Sequence, residues 1–417
     1  MRILKLTPQT EEILMNGRKG QLRAAHRAAT VIVADVKRRG DAALEEWARK
    51  LDGLEVRGEG LWITRQEMAA AKKRVGREFL RAVEHAVQNV RRVAEKQLPR
   101  EWSLEVEPGV RVGQLIRPID SIGCYIPGGR FALFSTMVMT VVPAQVAGVK
   151  RIVVVCPRAN NELLATADLL GVSQLARLGG AQAIAALAYG TKRIAPVEKI
   201  FGPGNRYVTA AKQIVSADCA IDLPAGPTEA IVLARNGNAR WIAADLLAQA
   251  EHAPDAGSFL VTTSARLAKQ VQREVAAQLE PLPRTNPARI SSEKAGAILM
   301  ARTWKEGIEF VNRFAPEHLS LPESSLALLE KIRSSGTIFV GHLSAQPFGD
   351  YASGSNHVLP TGGWARRRGG LSANEFVKAI SVQSIRSSGY RRLARDVQTM
   401  ARAEGLLAHA NAVEVRK

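Results

Sequence analysis

The chain is short of cysteine, of aromatic residues and of acid, and each shortage narrows what it can be. Cys124, Cys156 and Cys219 form an odd set without metal-ligand spacing, so no disulfide framework or zinc finger is encoded and reduced thiols are expected. Aromatics make up 5% and do not interleave with the basic residues, which leaves no base-stacking platform. No Gly-x-Gly-x-x-Gly fingerprint and no phosphate-loop Gly-Lys-Ser/Thr occurs. Long apolar runs are also missing. Only Phe131 to Val149 is uncharged over the length of a membrane span, and Ser135, Thr136, Thr140, Pro143, Gln145 and Gly148 within it point to a buried helix of a globular protein. The start, Met-Arg-Ile-Leu-Lys-Leu, lacks the apolar centre of a signal peptide, so a cytoplasmic protein without membrane attachment is expected. The shortage of acid gives a formal charge of +19. Clusters such as Lys37-Arg38-Arg39, Lys72-Lys73-Arg74 and Arg366-Arg367-Arg368 are spread along helical patterns, which reads as a solvated basic surface and not as a nucleic-acid interface.

What is present follows an α/β grammar. At 417 residues the chain suggests two or three domains. The first 110 or so residues read as amphipathic helices, for example Asp35 to Leu51 and Arg65 to Lys96. From about Val112, short β-branched runs (Ile122 to Ile126, Ile152 to Cys156, Lys199 to Phe201, Ile231 to Ala234) alternate with helical stretches (Asn161 to Leu170, Ala181 to Tyr189). A second alternation follows, with a helix near Ala239 to His252, a strand at Ser258 to Thr263, a helix at Leu267 to Gln278 and a strand at Gly336 to Val340. Such alternation predicts parallel βαβ units in two αβ bodies. The tail from Ser372 reads as helix with little apolar surface of its own, so it is expected to dock on another body.

Four glycine-rich loops all follow predicted strands: Ile126-Pro127-Gly128-Gly129, Gly179-Gly180-Ala181-Gln182, Gly202-Pro203-Gly204-Asn205 and Ala225-Gly226-Pro227-Thr228. Each alone is compatible with simple turn chemistry; four at successive strand ends suggest a ligand crevice. Four of the seven histidines fall in short polar runs, at Gln249-Ala250-Glu251-His252, Glu317-His318, Gly349 to His357 and Glu404 to His409. Gln249 and His252, three apart on a helix, share one face and offer an amide oxygen and an imidazole to one ion, or else are ordinary surface polar residues. Glu317 and His318, adjacent in an extended segment, suit two distinct proton transfers or a solvent-exposed pair. In the Gly349–His357 loop Asp350 is a plausible hard ligand. Glu404 and His409 carry no signal of their own. His26, His85 and His342 receive no role, and His357 is expected only to structure its loop.

Several uncommon strings occur together and in order: Cys-Tyr-Ile-Pro-Gly-Gly, Gly-Gly-Ala-Gln-Ala-Ile-Ala-Ala-Leu-Ala, Phe-Gly-Pro-Gly-Asn, Asp-Leu-Leu-Ala-Gln-Ala-Glu-His, Ala-Pro-Glu-His-Leu, Gly-Asp-Tyr-Ala-Ser-Gly-Ser-Asn-His-Val-Leu-Pro-Thr and Glu-Gly-Leu-Leu-Ala-His. With them the chain, from about residue 20 to the C-terminus, closely resembles the histidinol dehydrogenase family. The resemblance implies a zinc-dependent, NAD-linked oxidation of L-histidinol through the aldehyde to L-histidine, with two NAD per turnover. Zinc (Zn2+, one per subunit) would be held by Gln249, His252, Asp350 and His409. Substrate contacts would fall on Thr228, Gln249, His252, His318, Asp350, Glu404 and His409, and NAD contacts on Tyr125, Gln182 and Asn205. His318 is the expected base for the alcohol proton and Glu317 the residue that activates water for the second oxidation; a thiohemiacetal on Cys124 or Cys156 is the weaker route. Thr228 stands where many relatives carry Ser, which keeps the hydroxyl, and Arg130 to Phe134 lacks the proline frequent after the Pro-Gly-Gly turn.

The family also implies a homodimer with a swapped C-terminal segment, in which His409 reaches the partner's site. The expected fold is α/β: two Rossmann-like αβα domains without the dinucleotide fingerprint, plus small N- and C-terminal helical segments. Residues 1–20 would form an N-terminal segment, 21–120 with 231–371 a first αβ domain holding the metal and catalytic residues, 121–230 a second carrying the NAD loops, and 372–417 the helical tail. Oxidation of another amino or sulfo alcohol is the alternative within the family; a metal hydrolase or a nucleic-acid-binding protein are the alternatives outside it.

Overall fold

A computed structural model describes residues 1–18, 22–128, 132–223, 226–323 and 326–416. Gly129, Arg130, Phe131 and Ala225, singled out in the sequence, lie outside the described residues. The chain is mixed α/β, and its described residues form two six-stranded sheets and one of three strands. The first runs Arg2–Lys5, Ala297–Met300, Gly257–Thr262, Glu229–Leu233, His318–Leu321, Thr337–Val340, parallel throughout. The second runs Trp62–Ile63, Gln174–Ala176, Arg151–Val155, Ser121–Tyr125, Lys199–Phe201, Ala220–Ile221, parallel except for its first edge strand. Apart from that early edge strand, each six-stranded sheet has the same order: counted along the chain, its strands lie 3-2-1-4-5. The chain reverses direction across each sheet beside strand 1, at Glu229–Leu233 and at Ser121–Tyr125.

Apolar runs make these strands because both faces of each sheet are covered by helices. In Arg151–Val155 the alternation of a strand sends Val153 and Val155 into one core and Val154 into another. The first of these cores is closed by the helices Leu22–Arg39, Asp41–Trp47, Gly180–Tyr189 and Arg206–Val215, the second by Arg77–Gln97, Phe134–Ala147 and Asn161–Leu169. The uncharged stretch forms the helix Phe134–Ala147, with the run from Ser135 to Ala144 buried, as expected of a core helix. Around the first sheet, Ile231 and Leu233 face the helix Trp304–Phe314 while Val232 faces Ala239–Ala250 and Ala265–Leu279. No helix among the described residues is long and apolar enough to cross a membrane.

Several expectations need correction. The helices of residues 22–97 pack on the sheet built from 121–221, not on the one built from 229–340 with which they were grouped. Their small apolar faces (Ala25, Ala29, Ile32, Val36) fit the Ala-rich helix Gly180–Tyr189. Residues 2–5 are not a separate segment but an edge strand, paired in parallel with Ala297–Met300. The run from Asp35 to Leu51 is broken at Gly40, whose φ of +57° ends the helix Leu22–Arg39. The tail is not all helix. Val377–Ile385 pairs antiparallel with Val110–Pro118, which in turn pairs with Trp102–Glu107, and only then do the helices Ser387–Ala403 and Leu407–Glu414 follow. The Thr228 loop precedes its neighbouring apolar strand, Glu229–Leu233.

Candidate active site

The strands of the first sheet bring polar residues to their N-terminal ends. Thr228 precedes Glu229–Leu233, and Glu317 and His318 stand at the head of His318–Leu321, in register with it. The helix Ala239–Ala250 carries Gln249 in its last turn and leaves His252 just beyond it. Asp350 lies on the short helix Gln346–Tyr351, which its Gly- and Ser-rich surroundings concealed in the sequence.

These side chains form one network. Thr228 Oγ1 donates to Glu317 Oε2, and the Glu229 backbone N–H donates to the same oxygen at 3.0 Å. Gln249 Nε2 donates to Thr228 Oγ1 at 2.8 Å, and Gln249 Oε1 accepts from Gln346 Nε2 at 2.7 Å. His318, buried and stacked on Phe339, holds Nδ1 3.7 Å from Glu317 Oε2 and Nε2 3.7 Å from Asp350 Oδ1. At those distances neither ring nitrogen has a hydrogen bond among the described residues, and both are buried. A buried imidazole without partners is costly unless something else enters to bond it, which favours a ligand here. Burial works against the His318 cation, but Glu317 and Asp350 outweigh it and raise its pKa. Asp350 shows the counterpart: burial disfavours its charge, yet His318, His357 and His252 hold it below the usual carboxylate range. His357, expected to structure its loop, is half-buried with Nδ1 2.7 Å from the Asp350 carbonyl and Nε2 3.0 Å from Thr136 Oγ1, so it fixes the backbone that carries Asp350.

Two residues escaped the sequence reading. Glu229 is buried beside Glu317, held by Arg18 through Nε at 2.7 Å and Nη2, and by the Gly362 N–H at 3.1 Å. Burial, despite Arg18, pushes its carboxyl up to about 7. The available signal was a lone carboxylate heading the apolar run Glu-Ala-Ile-Val-Leu; Arg18, 211 residues away, had none.

A cavity of about 1190 Å³ runs from His252 and Tyr351 to Tyr125, Gly180 and Asn205. Here the second sheet contributes the C-terminal ends of its strands, the place where open parallel sheets take ligands. Tyr125 Oη accepts from the Gly180 N–H at 3.2 Å, and the buried Gln182 Nε2 donates to Asp52 at 2.8 Å. Asn205 caps the helix Arg206–Val215. The Gly202 loop is anchored from below by Lys212, 2% exposed, whose Nζ donates to Gly202 O at 2.9 Å and pairs with buried Asp222, itself accepting from the Gly202 N–H at 2.7 Å.

Glu404 and His409 stand exposed on the tail, and among the described residues neither has a hydrogen bond or ion pair to Thr228, Gln249, His252 or Asp350. No three His, Cys, Asp or Glu side chains of the single chain converge as a metal site among the described residues. Of the expected ligands, His252 Nδ1 lies 3.0 Å from the Ala248 carbonyl, the hydrogen bond that leaves Nε2 as the other ring nitrogen, and His252 acts electrostatically on the Asp350 carboxylate, while Gln249 Oε1 accepts from Gln346 at the start of the Asp350 helix. That nitrogen and oxygen set fits a borderline divalent ion with a coordination position to spare. Burial pushes the Cys124 and Cys156 thiols up to about 12, so neither supplies a thiolate near neutral pH.

The comparisons with known proteins agree with these strings and with the fold. The sequence model described as histidinol dehydrogenase matches residues 16–417. The chain belongs to the histidinol dehydrogenase family. It is 45% identical over 392 residues to the histidinol dehydrogenase of Methanothermobacter thermautotrophicus, covering 92% of each chain. It is 45% identical over 397 residues to that of Geobacillus kaustophilus, covering 94% of this chain and 93% of the other. The crystal structure of the family member from Elizabethkingia anophelis superposes with a TM-score of 0.93 at 36% identity, over 100% of this chain and 98% of that one.

Proposed function

We propose that this protein is a zinc- and NAD-dependent L-histidinol dehydrogenase of the cytoplasm, oxidising the alcohol through the aldehyde to L-histidine as the last steps of histidine biosynthesis. The observation that carries the reading is the unpartnered imidazole of His318, set between Glu317 and Asp350 beside the cavity's His252 end, in a chain that belongs to this family over nearly its whole length. The two sheets with their helices serve as two Rossmann-like domains: the second sheet, joined by residues 22–97, takes NAD at Tyr125, Gln182 and Asn205, and the first takes metal and substrate.

Gln249, His252 and Asp350 would hold zinc, with His409 of a second copy completing the set. When bound, zinc supplies Lewis-acid polarisation of the substrate's oxygen and nitrogen donors, and NAD supplies the hydride acceptor. The protein's part is proton handling and placement. His318 accepts the hydroxyl proton as hydride leaves the carbinol carbon, and its two carboxylate neighbours stabilise the resulting cation. For the second oxidation Glu317 accepts a proton from the water that adds to the aldehyde; Thr228 and the Glu229 N–H fix the orientation of its carboxylate. Thr228, Gln249, His252, Asp350, Glu404 and His409 complete the substrate contacts.

The dimer with a crossing tail is supported by what the single chain leaves uncovered. Leu104, Val106, Ile380, Val382 and Ile385 on the three-stranded sheet and Leu407 on the tail are all more than two-fifths exposed. Glu404 and His409 share that tail.

NADH formation with L-histidinol tests the proposal. Two NADH per histidinol, lost with chelator and restored by zinc, is the expected result. Metal-loaded protein that reduces NAD with other amino or sulfo alcohols but not with histidinol would overturn the substrate.

A further inference from the structure

The cavity has two acidic contacts that the proposed cofactor residues do not include: Glu251 beside His252, and Asp52 at the end that holds Tyr125 and Gly180. Asp52 ends the π-helical turn Ala48–Asp52 and lines the cavity beside Trp47 and Leu51. Its carboxylate lies over the Gly179-Gly180 turn: a Cβ on Gly179 would stand 3.2 Å from Asp52 Oδ2. It accepts from Gln182 Nε2 at 2.8 Å, and among the described residues Gln182 Oε1 is buried with no hydrogen-bond partner, so the carboxylate and the amide oxygen both stand as acceptors for a hydroxyl.

The place matters. Asp52 sits at the C-terminal ends of strands 2 and 3 of the second sheet, where doubly wound nucleotide folds put the acid that accepts from a ribose 2′-hydroxyl. In this sheet the residue that follows strand 2 in that neighbourhood is the exposed Arg158, whose Nη2 lies 3.4 Å from the Asp52 carbonyl. A guanidinium there, left to itself, favours a 2′-phosphate. A carboxylate brought in from the helical N-terminal region reverses the preference: it accepts from two adjacent hydroxyls and repels a phosphate. We infer that Asp52, with Gln182, is the specificity-determining residue that takes the adenosine ribose diol of NAD and excludes the 2′-phosphate of NADP. The inference rests on the reading above that this cavity holds NAD. Burial raises the Asp52 carboxyl above its ordinary range despite Arg158, the mark of a carboxylate short of donors, which a sugar diol supplies.

Steady-state oxidation of histidinol with NAD and with NADP decides the matter. The wild-type protein prefers NAD. Asp52→Asn and Asp52→Ser each raise the KM for NAD about tenfold, the worth of one charge-assisted hydrogen bond, with kcat and the KM for histidinol within about twofold. Each also cuts the NAD-to-NADP ratio of kcat/KM about tenfold or more, and adding Arg158→Glu to Asp52→Asn restores discrimination against NADP. Variants that reduce NAD with unchanged KM and an unchanged ratio overturn this inference alone. A wild-type protein that reduces neither coenzyme overturns the cofactor reading, and this inference with it.

Discussion

The two six-stranded sheets have one strand order and use opposite ends of it. In the second sheet the polar residues, Tyr125, Gln182 and Asn205, gather where strands finish, and the backbone turns there are glycine-rich. In the first sheet Thr228, Glu317 and His318 gather where strands begin. The difference follows from the chemistry each end must hold. An end built of loose Gly-Pro-Gly turns lets a long ligand lie close to backbone, but it needs anchoring, and Lys212–Asp222 supplies that anchor. A proton-transfer site needs side chains fixed to fractions of an ångström, and the first residues of paired parallel strands are held on both sides. On the proposed function, one topology therefore serves as a ligand shelf in one copy and as a rigid mount in the other.

Breaking the mount should have the largest effect. His318→Gln is expected to lower kcat by about 10²- to 10⁴-fold, the usual worth of a positioned general base, with thermal stability little changed. Glu317→Gln should separate the two oxidations: single-turnover NADH from histidinol persists while oxidation of supplied histidinaldehyde falls by a similar factor. Equal loss of both steps would give His318 and Glu317 a shared role. Next comes the dependence of the mount on a second copy. His252→Ala and His409→Ala homodimers should each be nearly inactive, and heterodimers formed by mixing them should regain activity because one of their two sites has every ligand. Verified heterodimers that stay inactive would place the whole site within one chain.

The shelf should fail differently. Lys212→Met leaves the Asp222 carboxylate buried without its cation, which is expected to cost about 3–5 kcal/mol in denaturant unfolding and to raise the KM for NAD more than it lowers kcat. If stability falls while the KM for NAD is unchanged, the buried pair supports the sheet and not the loop.

How much of this was legible depended on how local the cause was. The central strands read clearly because a strand buried on both faces is an apolar run, and observed bounds such as Arg151–Val155 and Lys199–Phe201 fall within a residue of expectation. Arg2–Lys5 and Trp62–Ile63 are too short to show a period. Val377–Ile385 was hidden because a face left uncovered in the single chain alternates polar with apolar residues only loosely. At the site, Gln249, Glu317, His318 and Asp350 stood out through their neighbours in sequence. Their network did not, because it depends on Thr228 and the Glu229 backbone meeting Glu317 across 88 and more residues.

The smallest expected effect lies under the mount, at Glu229. Its buried carboxyl, with a pKa of about 7 in the fold against an ordinary 4.5, is the acid whose proton is held more tightly folded than unfolded. Its contribution to stability is therefore complete below about pH 4.5 and is lost as pH rises through 7, by on the order of 2–3 kcal/mol before relaxation around Arg18 reduces it. Glu229→Gln keeps an acceptor for Arg18 and the Gly362 N–H but cannot titrate, so its stability should change less than wild type between pH 4.5 and 7.5 in thermal melts. A wild-type slope in that window matched by the variant would mean that Arg18 keeps Glu229 ionised throughout. The Arg18–Glu229 pair would then be a permanent ion pair beside Glu317, and pH dependence of the mount would have to come from His318, whose pKa its two carboxylate neighbours raise.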